Sequence, residues 1–478
     1  MQTIALKGVL QSKLDRYRAS DPRAVPLPAD LQDADMGMVQ GLLSSLGGSN
    51  PRYADLAQQD LKALGLPGLR PLIRCLKNAR TSLGDTTRQR WFIARTLGSI
   101  EHPMAALTLL ELAKKDPNAQ VRSMAIFQLG ETPLNPDWVL PHLCLRLKYE
   151  KDSECHRLMG QVLAGHQNYS FLRAWFELSR SPDPSESAPI FEALQALEEE
   201  TGQTAADLAK AWGQPGSQTP PPSDALLHEV WQFVSELSGE HFQLRGVDDA
   251  RFALSDLGPW LATELAPALA DTDVYVRLHV GQVLERLGPR AVSAVPALIA
   301  ALKDPDLGPQ ASTSLAAIDD LRALEPLLLA ASDKSPLDLR SSAVRALGKT
   351  TWPESADTLR TVLSDSQDPG QEGLEPLAHA ALLQVDPSAE TFDALLRLLT
   401  EPLAANGTAE LAFSDALLRQ TRGEDPGDQA LADWNCWKEM GAAFGSRPSA
   451  KGLGLRRESR STWLQENRER LLSSLGAL

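Results

Sequence analysis

The sequence predicts an all-α chain, an α-α superhelix or solenoid of short helical hairpins stacked in series, and three observations predict it. The chain has 478 residues and is 43% hydrophobic with only 5% aromatic; its apolar content is carried by Leu and Ala, which favour helices over strands. A short phrase recurs: Val121-Arg122-Ser123-Met124-Ala125 followed by Leu129-Gly130, and Leu339-Arg340-Ser341-Ser342-Ala343 followed by Leu347-Gly348. Leu-Gly closures fall at Gly65, Gly98 and Gly130, spaced 33 and 32, and at Gly258, Gly288 and Gly348, spaced 30 and 60, with a worn closure near Ile318 inside the longer gap. Such a period with helical patterning inside it marks hairpins that cannot bury their apolar stripe alone and do so by stacking. Length agrees, since a chain this long exceeds one compact core unless it repeats.

Each part of the repeat has a mechanical reason. Asp116-Pro117, Asp304-Pro305 and Ser335-Pro336 place a capping side chain before a proline, which suits the orphan N–H groups and the fixed φ of a helix start. Gly98, Gly130, Gly288 and Gly348 follow the last core Leu, where a residue at positive φ is expected to close the helix. The second helix then carries one apolar stripe, as in Val292, Val295, Leu298, Ile299 and Leu302, before the next acidic cap at Asp304. The phrase Asp-x-x-Val-Arg-x-x-Ala-x-x-x-Leu-Gly followed by an apolar helix resembles bacterial short HEAT repeats, the type also found in phycobilin lyases. The resemblance is carried by residues 272 to 350 and 85 to 148. It implies that the Val-Arg arginine braces neighbouring repeats, here Arg122, Arg277 and Arg340.

Composition divides the chain. Residues 1–35 read as an N-terminal capping segment, with Leu6, Val9, Leu10 and Leu14 at near-helical spacing. A first array is expected over 36–212, a Pro/Gly/Ser linker over 213–223, a second array over 224–440, and a basic loop and helix over 441–478. Thr201-Gly202 leading to Trp212, and Thr421-Arg422-Gly423 leading to Trp434 and Trp437, resemble the closing element of some bacterial HEAT proteins and read as caps that bury the last stripe.

Net charge is −15 and unevenly placed: +6 over residues 1–100, −25 over 101–446 and +4 over 447–478. An acidic body repels phosphate backbones, so a nucleic-acid groove along its length is disfavoured. Cys75, Cys144, Cys155 and Cys436 form no disulfide framework and read as reduced thiols. With no secretory signal in the first twenty residues and no apolar run long enough for a membrane span, the expected location is the cytoplasm.

Little in the sequence points to chemistry. His142, Cys144, Cys155 and His156 are close in sequence, but two-apart and adjacent side chains on a helix diverge, so no zinc site is expected. His228-Glu229 is the only His-Glu pair, where HEAT proteins that hold a di-iron centre resemble one another in having several. No phosphate loop and no Ser-His-Asp signature is present. The expectation is therefore no catalytic residue, no cofactor and no metal. The one pattern with an outward purpose is Arg70, Arg74 and Lys77, at i, i+4 and i+7 on one helix face with Arg80, Arg88, Arg90 and Arg95 nearby, a candidate partner-binding stripe for an acidic surface or a phosphate. The sequence thus predicts a non-catalytic scaffold or adaptor for protein partners. The alternative is binding of nucleic acid or another anionic surface through the basic ends, including Lys451, Arg456, Arg457 and Arg460; a HEAT-type enzyme such as a lyase stands behind both.

Overall fold

The computed structural model describes residues 8–46, 51–81, 86–132, 138–147, 149–165, 222–239, 244–255, 260–332, 335–350, 352–365 and 374–386, with isolated positions beside them. All regular structure among the described residues is helical, as the Leu and Ala content predicts. The chain forms two compact units, Met1–Val283 and Leu284–Leu478.

In the first unit, α1 (Val9–Tyr17) and a 3-10 turn (Pro22–Ala24) precede α2 (Met36–Ser45), α3 (Pro51–Ala63) and α4 (Leu69–Thr81). Then come α5 (Thr87–Leu97), α6 (Pro103–Lys115), α7 (Ala119–Glu131), α8 (Leu140–Leu147) and α9 (Ser153–Gly165). After 222 follow α10 (Asp224–Glu236), α11 (Leu244–Ser255), α12 (Trp260–Leu265) and α13 (Val274–Leu287), whose last turn enters the second unit. The second helices of successive hairpins, α5, α7 and α9, lie directly side by side, while α4, α6 and α8 form the opposite layer. Leu72, Leu76, Ile93, Leu97, Leu109 and Leu112 fill the space between, each no more than 3% exposed; burying such a side chain contributes roughly 1.5–3 kcal/mol. The second unit repeats this arrangement. One row is α15 (Gly308–Ile318), α17 (Leu337–Lys349) and α19 (Leu374–Val385), alternating with α14 (Val295–Ala301), α16 (Leu324–Ala330) and α18 (Ser355–Asp365).

The N-terminal segment does more than end a stack. α1 lies along α10, and the turn at Pro22–Ala24 reaches α6. Tyr17 is buried there, and Lys13 Nζ meets Glu264 Oε1 at 2.6 Å while sitting 5.2 Å over the ring of Trp231. That indole is wholly buried and donates to the same carboxylate at 2.7 Å.

Two local expectations are corrected. Of the four closing glycines, only Gly288 has positive φ, at 57°; Gly98 has φ −62°, and Gly130 and Gly348 stay within their helices. Their reason is space. A Cβ on Gly348 would lie 2.6 Å from the Cα of Ala381 on α19, and one on Gly130 would lie 2.8 Å from the Val162 side chain on α9. The glycine lets the next helix of the row approach its backbone, which is what stacking at short range requires. The worn closure is also real: Asp319 takes φ 57° and ψ 44°, the left-handed cap that glycine usually supplies.

The acid-proline pairs act differently from simple caps. α7 is capped by Asn118, whose side chain accepts from the Gln120 N–H at 2.9 Å, while Asp116 accepts from the Asn118 N–H at 3.0 Å and turns its other oxygen into the core. Asp304 folds its own loop by accepting from the N–H groups of Asp306 and Leu307, with α15 starting only at Gly308. Pro336, not Ser335, is the N-cap of α17, and no side chain caps that helix. The helix starts one to three residues after each pair's proline, and an Asp held in a turn competes with the helix for its own backbone.

Candidate functional site

The repeat arginine is a brace. Arg122 on α7 grips Glu150, just before α9, with Nε at 2.8 Å from Oε2 and Nη2 at 2.7 Å from Oε1. One repeat earlier, Arg90 on α5 grips Asp116 at 2.8 and 3.1 Å. Both arginines stand seven residues before the closing Leu, and both carboxylates are buried. The third position in that row is His156, whose ring nitrogen lies 3.0 Å from the Glu150 carbonyl; Arg122 and Arg277 place a guanidinium 3.0 Å from the equivalent carbonyls of Asp116 and Asp271. Arg340 is buried and donates to the carbonyl of Ala331 at 3.0 Å. Burial pushes the Glu150 carboxyl up, but hydrogen bonds from Arg122, the Lys151 and Asp152 N–H groups and Arg146 outweigh it and bring it down to about 2.

The basic stripe divides. Arg70, Arg74 and Lys77 are exposed on α4, with Arg70 Nη1 3.5 Å from Asp33 Oδ1. Arg88 and Arg95 sit on α5, in the other layer, and not on the face of α4. Arg90 belongs to neither face, being 7% exposed and committed to Asp116. The side chain of Arg80, the C-terminal cluster Lys451 to Arg460, Cys436, the linker up to 221, and Trp212, Trp434 and Trp437 lie outside the described residues.

What composition and spacing missed is a buried charge cluster built from four elements of the first unit. At its centre Glu229 on α10 is 1% exposed. Arg23, from the N-terminal turn, donates to its two oxygens at 2.9 and 3.2 Å. The His142 Nε2, on α8, lies 3.1 Å from Oε2, and the His228 Nδ1 lies 3.3 Å from Oε1. Behind them Lys114 on α6 donates to His142 Nδ1 at 3.2 Å, and Gln232 Nε2 lies 3.3 Å from His228 Nε2. These contacts assign one tautomer to each ring, Nε2–H for His142 and Nδ1–H for His228. Phe233 packs against the His142 ring with centroids 4.8 Å apart.

The electrostatics follow from that packing. Burial raises the Glu229 carboxyl, yet its hydrogen bonds from His142, His228 and Arg23 hold it far below the usual carboxylate range. Burial lowers both His142 and Lys114, so His142 is neutral, as its bridging position requires. Burial raises Glu236, the acidic neighbour of Lys114. Four N–H donors on one carboxylate fill its four lone-pair directions. Glu229 therefore serves as a junction tying the N-terminal turn to α6, α8 and α10 rather than as a base waiting for a proton.

Among the described residues no group of three or more His, Cys, Asp or Glu is placed to hold a metal. Cys144 and Cys155 are both buried, and the Cys155 thiol, pushed up to about 12 by burial first and by Glu150 and Asp152 after it, lies 3.5 Å from the Ala119 carbonyl.

A family model for the PBS lyase HEAT-like repeat matches residues 339–365, which is the hairpin of α17 and α18. No curated protein matches the chain significantly. Among solved structures, the chain is similar to an engineered protein at 15% identity and TM-score 0.27, covering 80% of this chain and 98% of that one. It is also similar to Kap121p bound to Pho4p at 14% identity and TM-score 0.35, covering 98% of this chain and 48% of that one. Kap95p, in the structure describing its effect on the switch loops of RanGDP, is similar at 16% identity and TM-score 0.31 over 91% of this chain and 56% of that one. The chain thus spans about half the length of the Kap121p and Kap95p chains. With a HEAT-like repeat matched on one hairpin and the same two-layer stacking of helices in both units, the chain has the fold of an α-α solenoid built from HEAT-like hairpins.

Proposed function

We propose that this chain is a non-catalytic scaffold or adaptor that holds protein partners on the outward faces of its repeats, with Arg70, Arg74 and Lys77 on α4 forming one contact. The observation that supports this reading is how the converging ionisable groups are used. Arg90 with Asp116, Arg122 with Glu150, and Arg23 with Glu229 and its two histidines are spent on one another as ties between elements. Arg70, Arg74 and Lys77 stand exposed on α4, where complementary charge steers encounter with a partner. Among the described residues no helix is long and apolar enough to cross a membrane, and the buried thiols of Cys75, Cys144 and Cys155 suit a reducing cytoplasm.

The test is affinity capture with the full chain from native lysate at physiological salt, beside a variant with Arg70, Arg74 and Lys77 each changed to Glu. The expected result is one or more proteins recovered saturably by the unaltered chain and depleted about tenfold by the variant. No recovered protein, or a duplex DNA mobility shift that falls steeply with salt, overturns the reading in favour of an anionic surface.

A further inference from the structure

The outward face of α5 carries an arrangement that neither the braces nor the α4 stripe uses. Trp91 and Phe92 are half-buried and meet edge to face, with centroids 4.9 Å apart and planes at 89°. The Arg95 guanidinium lies 5.6 Å over the Trp91 ring, and that of Arg88 lies 5.9 Å over Phe92. Among the described residues neither arginine is paired with a carboxylate. On α7, the next helix of the same row, the position equivalent to Arg95 is Phe127, 44% exposed. Both stand two residues before the closing Leu, at Leu97 and Leu129.

A guanidinium spread on an aromatic ring keeps its N–H edge free for a carboxylate while the ring limits its rotamers, so less entropy is lost when a partner binds. Arg88 and Arg95 are seven residues apart on one helix, about 10 Å along its axis. Helices packed side by side stand roughly 8–10 Å apart, which puts Phe127 within reach of the same ligand. α5 lies in the basic first hundred residues, net +6, so a complementary, acidic partner is the one whose encounter with this face the charge steers. Trp and Arg are also the residues that most often dominate binding energy at interfaces.

We propose that Arg88, Trp91, Arg95 and Phe127 form a docking face for an acidic segment of a partner protein, with carboxylates about 10 Å apart on the two guanidinia and an apolar side chain between them against Trp91 and Phe127. This rests on the scaffold reading and names the partner class for a second face of it.

The experiment pans a display library of 12-residue peptides against the full chain, then measures labelled winners by fluorescence anisotropy. The expected winners carry two or more Asp or Glu around an aliphatic or aromatic residue. Their affinity should fall at least about tenfold in R88E/R95E and by a smaller factor in F127A, and stay unchanged in K303E, an exposed position of the second unit. Replacing the peptide's acids by Lys should restore binding to R88E/R95E. Winners without acidic residues, or equal binding by R88E/R95E, overturn the proposal. Tighter binding of oligothymidylate than of any peptide also overturns it and assigns the face to single-stranded nucleic acid. R88E/R95E reads α5 and the triple Glu variant reads α4, so a chain that keeps its captured partner but binds no acidic peptide defeats this inference and leaves the scaffold reading standing.

Discussion

Glu150 shows how a single side chain ties two repeats. It accepts from Arg122, from Arg146 at 2.9 Å and from two backbone N–H groups, and its carboxyl sits at about 2 against an ordinary 4.5. A carboxyl lowered by folding contributes stability that is fully present above its unfolded value and is lost as pH falls through its folded value. Glu150→Gln should therefore cost about 2 kcal/mol at pH 7, and the gap between variant and wild type should shrink by more than half by pH 3. Urea unfolding at the two pH values measures this; an equal gap at both would mean that Glu150 acts by shape and not by charge. Arg122 was legible because it sits in a motif, whereas its acceptor was not, since Glu150 lies 28 positions on, in the turn before the next helix of the row. Arg23 and Glu229 are 206 positions apart, and no local pattern joins them. His142 was visible only as a possible metal ligand, because its real partners, Lys114 and Glu229, come from two other helices.

Elements were more legible than their contacts. Helix type, the 30-residue spacing and the phrase-bearing helices all follow from Leu-Gly closure and apolar periodicity, since these are local properties of the chain. The purpose of the closing glycine was not legible, because positive φ and close approach call for the same residue. The two causes separate by mutation. Gly348→Ala forces a Cβ to within 2.6 Å of the Ala381 backbone, which cannot yield without moving α19. Gly41→Ala, inside α2 and at an exposed position, meets nothing within 4 Å. Overpacking against backbone costs about 1–3 kcal/mol, so Gly348→Ala should be destabilising by that order. Gly41→Ala should lie near neutral or slightly stabilising, helped by the better helix propensity of Ala. Thermal and urea unfolding of the two variants give the ordering, and a Gly348→Ala protein as stable as wild type would show that α17 and α19 are free to slide apart.

At the scale of the whole molecule, stability should be local, because in a stack each repeat contacts only its neighbours. Arg122→Ala tests this. The change leaves Glu150, only 7% exposed, without its bidentate partner, and breaking a buried pair costs about 3 kcal/mol. That loss falls on the junction between α7 and α9. Hydrogen exchange followed by mass spectrometry should therefore show faster exchange in α7, α8 and α9, with α15, α17 and α19 of the second unit keeping their wild-type protection. The arginine's own helix should lose protection first at its start, where Arg122 Nη1 also holds the carbonyls of Asp116 and Pro117 at 3.0 and 3.2 Å. If amides throughout both units accelerate together, the chain unfolds as one cooperative body, and the nearest-neighbour picture of its braces fails. If only the second unit's helices hold, the braces are what give each stretch of the solenoid a stability of its own, and an interaction face such as that of α4 or α5 is presented by a locally rigid support.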